Sequence, residues 1–167
     1  MSEVITIRAC EVEDLPVVSR LLCETWHATY DPIYGAEKVD AINAQWHTPS
    51  MLAGRLGAPR SLFLVAQSGE ALAGMAFIRV SEDVRSATLH QLYVHPAHQR
   101  LGVGKKLIDR VLVHAGPHCR LVLEVEPENL RAIAFYEAHG FRITGDGVDC
   151  GNMGAGIAYL EMTRAEA

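Results

Sequence analysis

A short segment with two glycines carries the residue types that point most directly to chemistry. It precedes an amphipathic stretch and reads Gln99, Arg100, Leu101, Gly102, Val103, Gly104 and Lys105. A glycine-bearing turn that opens a helix lets several backbone N–H groups converge on an anion, and the helix dipole strengthens their positive potential. Two basic side chains add charge at the same place. The segment therefore suits a pyrophosphate-binding turn, with a plain glycine-rich helix start as the alternative. Its spacing matches neither the Walker lysine loop nor the dinucleotide fingerprint.

The surrounding pattern predicts the elements that would hold this turn. Hydrophobic periodicity and turn residues indicate strands over residues 4–8, 62–66, 71–80, 88–94, 120–126, 141–144 and 157–162. A first helix is expected from residue 15 until Asp31-Pro32 and Gly35 break it, and others over residues 36–46, 51–56, 102–115 and 129–139. The second half alternates strand, helix, strand, helix and strand. This order indicates an α/β fold whose mixed sheet is partly parallel.

The composition excludes several other classes of protein. The chain has 167 residues, which suits a single domain over residues 1–167 that needs no disulfide or metal for stability. Fifteen Lys and Arg against 20 Asp and Glu give a net charge of −5, which argues against a nucleic-acid partner. No apolar run approaches the ~18 residues of a membrane span and the first residues show no secretion signal, so we expect no membrane partner and a cytoplasmic protein. The four cysteines form no C-x-x-C pair, which argues against a zinc site and predicts reduced thiols.

Two motifs in the same order resemble those of the GCN5-related N-acetyltransferase (GNAT) superfamily. The run Leu92-Tyr93-Val94-His95-Pro96, followed by Gln99 to Gly104, is similar to that family's acetyl-CoA signature, Q/R-x-x-G-x-G/A after a hydrophobic-V-x-P strand end. The second half of the pattern is matched by Leu123-Glu124-Val125, Asn129, Ala132, Ala134-Phe135-Tyr136-Glu137 and Gly140-Phe141. The agreement covers about residues 89–141. It implies the GNAT fold, with a mixed six- to seven-stranded sheet that is splayed at the acetyl-CoA site and flanked by helices.

The resemblance implies acetyl-CoA as cosubstrate, without a metal. The backbone of Leu92, Tyr93 and Val94 would pair with the pantetheine arm in the gap between two splayed strands. The N–H groups of the glycine turn would bind the pyrophosphate. Asn129 would hydrogen-bond the cofactor arm, and its alternative role is to cap the helix that begins there.

Tyr136 is the general acid that the resemblance implies. A phenol near the sulfur can protonate the thiolate that leaves when an amine attacks the thioester. The alternative is a tyrosine of the core, because Tyr136 lies on a helix with a packed face.

Glu124 is the first candidate for the general base, which must take a proton from the incoming ammonium. It matches the catalytic glutamate of the ribosomal-protein alanine acetyltransferases, and strand alternation places it on one face with Val122 and Glu126. A half-exposed strand charge without a role is the alternative. His90 is the second candidate, since its ordinary pKa near 6.5 suits a base. Alternation places it on one face with Thr88 and Leu92.

The acceptor is predicted to be a small cationic primary amine, such as a polyamine. Histone-type members of the family place their general base at the position where this chain has Thr88, which argues against a histone lysine as the acceptor. Residues 26–46 and 146–156 map to the acceptor side, and residues 147–156 are expected to form a mobile loop. Aromatic rings and carboxylates can receive a cation there, and the candidates are Trp26, Tyr30, Asp31, Tyr34, Glu37, Asp40, Trp46, Asp146 and Asp149.

Two alternatives to this acceptor remain open. One is acetylation of a protein N-terminus, as in the ribosomal-protein alanine enzymes. The other is a non-catalytic module that binds or senses acyl-CoA. The oligomeric state is also open, with a homodimer as the common arrangement among relatives.

Overall fold

A single mixed sheet with helices on both faces forms the frame of the protein, in a computed structural model that describes residues 3–150 and 154–165. The described strands are β1 (Ile5–Ala9), β2 (Ser61–Ser68), β3 (Ala71–Val80), β4 (Ser86–Val94), β5 (Arg120–Val125), β6 (Arg142–Gly147) and β7 (Tyr159–Arg164). The helices are α1 (Leu15–Tyr34), α2 (Ala36–Trp46), α3 (Pro49–Ala53), α4 (Val103–Ala115) and α5 (Leu130–Ala138). Short 3₁₀ turns lie at Val12–Asp14 and Pro96–His98.

The strand order is β1-β2-β3-β4-β5-β7-β6. Strands β1 to β4 form an antiparallel meander, β4 and β5 are parallel, and β7 lies antiparallel between β5 and β6. The expectation of a mixed six- to seven-stranded sheet with a parallel part is therefore confirmed, with seven strands in the described residues.

The parallel pairing between β4 and β5 is short. It runs from Ser86 opposite Arg120 to Leu89 opposite Leu123 and ends there, although both strands continue. A β-bulge between β3 and β4 lies at the same level, because Phe77 pairs with Gln91 while Ile78 pairs with Leu89. A bulge bends its strand and increases the local twist. Strand β4 therefore diverges from β5 after Leu89, and the splayed sheet expected from the sequence is present.

The bulge also corrects one prediction. Strict alternation would place Thr88, His90 and Leu92 on one face, but the extra residue at His90 shifts the phase. Leu92 pairs with Ala76 and packs in the cluster that α4 covers, whereas Thr88 pairs with Arg79. Leu92 therefore faces the side of the sheet opposite to Thr88. On β5, which has no bulge, the predicted alternation holds.

Two hydrophobic layers enclose the sheet. Helix α4 buries Leu107, Ile108 and Val111 against one face, and helices α1 and α3 bury residues such as Leu22 and Leu52 against the other. A third cluster contains Trp26, Tyr30, Val39, Ile42, Trp46 and Ile157. No helix in the described residues is both long enough and apolar enough to cross a membrane.

The predicted break of the first helix at Asp31-Pro32 is wrong. Helix α1 continues through Pro32 to Tyr34 and ends at Gly35, which has a φ of 84°. A proline costs most in the middle of a helix. Only Ile33 and Tyr34 follow Pro32 in α1, so the disturbance is confined to the last turn. The third helix is also earlier and shorter than expected, and the last strand begins two residues later.

Gly74 on β3 allows a close approach between β4 and α4. A Cβ atom at this position would lie 2.7 Å from the carbonyl oxygen of Tyr93 and 3.2 Å from side-chain carbons of Leu107 and Val103. The carbonyl belongs to a paired strand and cannot move aside cheaply.

We therefore expect Gly74→Ala to lower the free energy of unfolding by about 1–3 kcal/mol, because it overpacks this layer. Urea unfolding measures the change. Gly54→Ala is the matched control, since its Cβ would have its nearest neighbour at 3.5 Å and its φ is −64°. Equal stability of the two variants would contradict the prediction.

Candidate active site

A cleft of about 800 Å³ opens where β4 and β5 part. Beyond Leu89, the edge of β4 that faces β5 has no strand partner in the described part of the chain, so its backbone groups are available to an extended ligand. Strand β4, the start of α4, helix α5 and one side of α1 line the cleft. Their lining residues include Thr25, Thr29, Leu92, Tyr93, Val94, Gln99, Arg100, Gly102, Val103, Gly104, Lys105, Asn129, Arg131, Phe135 and Tyr136.

The glycine turn adopts the geometry of an anion cradle. Arg100 and Gly102 both have left-handed backbone angles, with φ of 64° and 79°. Helix α4 begins at the next residue, Val103, and no side chain caps it. The N–H groups of its first turn have no intrahelical partner and no side-chain cap at the mouth of the cleft. This arrangement suits a pyrophosphate.

Gly104 fits α4 against α5 beside this turn. A Cβ at this position would lie 3.2 Å from the Cε2 atom of Phe135. The absence of a side chain therefore lets the first turn of α4 approach the wall of α5 closely. The turn, the unpaired strand edge and this narrow junction together fit the phosphates and the extended arm of a coenzyme A thioester.

Two residues of the predicted cofactor set contribute differently from the rest. The side-chain amide of Gln99 donates a hydrogen bond to the carbonyl oxygen of Val94 at 3.1 Å, so it ties the turn to the end of β4. The side chain of Leu101 is 61% exposed and does not line the cleft. Leu101 can therefore contribute only its backbone.

A smaller pocket of about 90 Å³ adjoins the cleft. It brings together the three predicted catalytic side chains, Tyr136, Glu124 and His90. Tyr136 lines both spaces, together with Leu92, Tyr93, Asn129 and Ala132. The predicted acid and both candidate bases therefore border one pocket, and Tyr136 also borders the cleft.

The environment of Tyr136 keeps its phenol protonated. The side chain is buried, and burial raises its pKa above the ordinary value, with a smaller contribution from Tyr30. A phenol with a raised pKa remains a proton donor at neutral pH.

Both candidate bases have exposed side chains, but their neighbours differ. Glu124 is exposed on β5 and interacts with the Cys150 thiol, whose pKa rises to about 12 through burial and then through Glu124. Although its side chain is exposed, the atoms packed around His90 partly desolvate the ring and lower its pKa, and Arg55 and Arg79 lower it further. His90 is therefore a neutral imidazole at pH 7, able to accept a proton.

Asn129 caps α5 with its side chain. Its Oδ1 atom accepts the N–H of Ala132 at 3.2 Å, and its Nδ2 atom donates to the hydroxyl of Tyr30 at 3.2 Å. The capping alternative is therefore present in the structure. The same side chain also joins α5 to α1.

The predicted acceptor residues divide into three groups. Trp26 and Tyr30 line the smaller pocket. Asp31 and Asp40 instead bind His27 at 2.7 and 2.9 Å, and Trp46 is buried in the cluster between α1 and α2. Tyr34, Glu37, Asp146 and Asp149 line neither space. The loop expected over residues 147–156 is described only in part, because residues 151–153 lie outside the described residues.

Helix α1 supplies a wall that the sequence reasoning missed. Thr25, Ala28 and Thr29 line the cleft. The sequence signal for this wall is the spacing of Thr25, Ala28 and Thr29, which share one side of the helix.

The end of α1 is also bonded to the end of β5. Tyr34 donates a hydrogen bond to the buried Glu126 at 3.3 Å, and Glu126 also accepts the N–H of Glu128 at 2.6 Å.

No group of three or more His, Cys, Asp or Glu side chains within residues 3–150 and 154–165 is placed to hold a metal ion. His95 instead binds Glu24 at 2.6 Å, between its Nε2 atom and a carboxylate oxygen. This contact joins α1 to the segment before the glycine turn.

The chain is similar in sequence and in fold to known acetyltransferases. The model of the acetyltransferase (GNAT) family matches residues 19–141. The spermidine N(1)-acetyltransferase of Thermoplasma acidophilum is 29% identical over 83% of this chain and 89% of its own. The L-methionine sulfoximine/L-methionine sulfone acetyltransferase of Salmonella typhimurium is 32% identical over 67% of this chain and 66% of its own. The crystal structure of the PaiA N-acetyltransferase of T. acidophilum with coenzyme A has a TM-score of 0.81 at 22% identity, covering 97% and 99% of the two chains, which shows a common fold.

The two bonds of Asn129 can be separated by substitution. We expect Asn129→Ala to lower the free energy of unfolding by about 1 kcal/mol, because the α5 cap is lost. Asn129→Ser keeps a capping oxygen but loses the donor to Tyr30, so it should retain most of that stability. Chemical denaturation of both variants measures the difference. An equal loss in both would contradict a capping role.

Proposed function

The chain belongs to the acetyltransferase (GNAT) family and is an N-acetyltransferase of that type, and we propose that its acceptor is the primary amine of a small cationic molecule such as a polyamine. The acetyl group would pass directly from acetyl-CoA to the amine. The parting of β4 and β5 supports acetyl-CoA as the donor, because it leaves a backbone edge and a cleft suited to a pantetheine arm.

Different residues of the cleft would bind different parts of acetyl-CoA. The backbone of Leu92, Tyr93 and Val94 would hold the pantetheine arm, and the turn with Arg100 and Lys105 would hold the pyrophosphate. The thioester supplies the activated acetyl group. Backbone groups would thus make most of the contacts to acetyl-CoA, and the side chains around the smaller pocket would remain available to the acceptor.

Two proton transfers are assigned to side chains that share the smaller pocket. Glu124 would take a proton from the ammonium so that the free amine can attack, with His90 as the second candidate. Tyr136 would give its proton to the sulfur as the carbon–sulfur bond breaks. The position of Tyr136 supports this role, because its side chain borders both the cleft and the smaller pocket and carries its proton at neutral pH.

The charge of the smaller pocket supports a cationic acceptor. The carboxylates of Glu124 and Glu126 line it, and the rings of Trp26, Tyr30 and Tyr93 surround the same space. Carboxylates and aromatic faces both stabilise an ammonium group. The spermidine acetyltransferase among the relatives supports the same class of acceptor.

An acceptor panel tests the proposal. We expect purified protein to release coenzyme A thiol from acetyl-CoA with spermidine or spermine, and to do so with a higher kcat/KM than with amino acids, aminoglycosides or an alanine-started peptide. Mass spectrometry identifies the acetylated product. Turnover with the peptide alone would favour the N-terminal acceptor instead. Acetyl-CoA binding without turnover on any amine would favour the non-catalytic module.

A second prediction concerns Tyr136. We expect Tyr136→Phe to lower kcat by about 10²-fold or more, because the thiolate then leaves unprotonated. The affinity for acetyl-CoA should be unchanged, since the ring is kept. Stopped assays give kcat and calorimetry gives the affinity. Tyr159→Phe, which alters a tyrosine that lines neither space, is the control. A large loss of affinity with an unchanged kcat would make Tyr136 a binding residue.

A further inference from the structure

Two helices begin at the same edge of the sheet, and the first turns of both line the cleft. Helix α4 follows β4 and helix α5 follows β5, and these strands are parallel. The carboxyl ends of both strands, and hence the starts of both helices, lie at one edge. The side of α4 carries the glycine turn with Arg100 and Lys105. The side of α5 carries a third cation, Arg131, which also lines the cleft.

Arg131 forms no hydrogen bond or ion pair with residues 3–150 and 154–165. Its side chain is exposed, and no carboxylate lies within 4.0 Å of its guanidinium in the described part of the chain. Lys105, by contrast, forms an ion pair with Asp109 at 2.7 Å. Glu128 also lines the cleft and is the acidic group closest to Arg131 in sequence. The N–H donors of the Arg131 guanidinium are therefore available to a ligand in the cleft.

The position of Arg131 on α5 places it beside the pyrophosphate turn. Residues four apart share one side of a helix, so Arg131 lies one turn before Phe135 on the same side. The ring of Phe135 lies against Gly104 in the first turn of α4. Arg131 thus lies one helical turn from the ring that packs against Gly104, near the junction between α4 and α5.

Coenzyme A carries a second anionic group besides its pyrophosphate. The molecule carries a pyrophosphate and, on the ribose, a separate 3′-phosphate. The glycine turn is proposed to bind the pyrophosphate, and Arg131 is a further cation of the cleft lining. A guanidinium is suited to a phosphomonoester, because its planar fork can donate two parallel hydrogen bonds.

We propose that Arg131 binds the 3′-phosphate of acetyl-CoA and makes the protein select the 3′-phosphorylated coenzyme over its dephospho form. The inference rests on the proposed acetyl-CoA site and assigns a new residue to it.

Calorimetry with coenzyme A and 3′-dephospho-coenzyme A tests the assignment on the full chain. We expect the wild-type protein to bind coenzyme A about tenfold or more tightly, as a charge-assisted contact to a phosphate would give. Arg131→Gln should remove this preference by weakening coenzyme A binding while leaving dephospho-coenzyme A binding unchanged.

Two controls make the result specific. Arg100→Gln, at the turn, should weaken both ligands and keep their ratio. Arg142→Gln, on the edge strand β6, removes an exposed arginine away from the cleft and should alter neither affinity. Thermal unfolding checks that each variant is folded.

Three outcomes would overturn the assignment. The first is a wild-type protein that binds both ligands equally, and the second is an Arg131→Gln variant that keeps the wild-type ratio. The third is a wild-type protein that binds neither ligand, which would overturn the proposed acetyl-CoA site as well. The first two leave that site intact, so the two failures are distinguishable.

Discussion

The structure depends on the early end of the hydrogen bonds between β4 and β5. Four residue pairs join the strands, and beyond them both strands continue but no longer pair with each other. Buried backbone groups that lack a partner carry a free-energy cost, so a sheet opens in this way only where something else can pair with it. The bulge opposite Phe77 bends β4 away, and the side chain of Gln99 holds the far end of the strand. The cleft, the turn above it and the small pocket beside it all follow from this divergence.

Helix α1 completes the site because three side-chain contacts hold it across the opening. Glu24 binds His95 next to the glycine turn, Tyr30 accepts from Asn129 at the start of α5, and Tyr34 reaches Glu126 at the end of β5. These contacts reach both sides of the divergence. One helix therefore forms a wall of both the cleft and the smaller pocket. The same helix therefore borders the space proposed for the cosubstrate and the space proposed for the acceptor.

Local sequence was enough to predict the elements that carry the site, but not their relative placement. The glycine turn, α4 and β5 were predictable because spacing alone sets the faces of a helix or an unbulged strand, as for Glu124. His90 and Leu92 were assigned to one face because nothing in the sequence marks the bulge. Asp31 and Asp40 suit a cation by residue type, yet they bind His27, and a pairing across two helices depends on packing. Thr25 and Thr29 were missed because periodicity does not specify the angle at which a helix crosses a sheet.

The bulge on β4 has a consequence for how this strand can change during evolution. The one extra residue at the bulge decides which side of the sheet each later residue of β4 faces. It places Gln91 and Tyr93 on the α1 side and Leu92 on the α4 side. Exchanging one side chain alters a single position, whereas losing one residue would exchange the two faces of the strand as far as the glycine turn. Descendants of this chain can therefore vary β4 by substitution, but a deletion or insertion within it would reverse its inward and outward surfaces together.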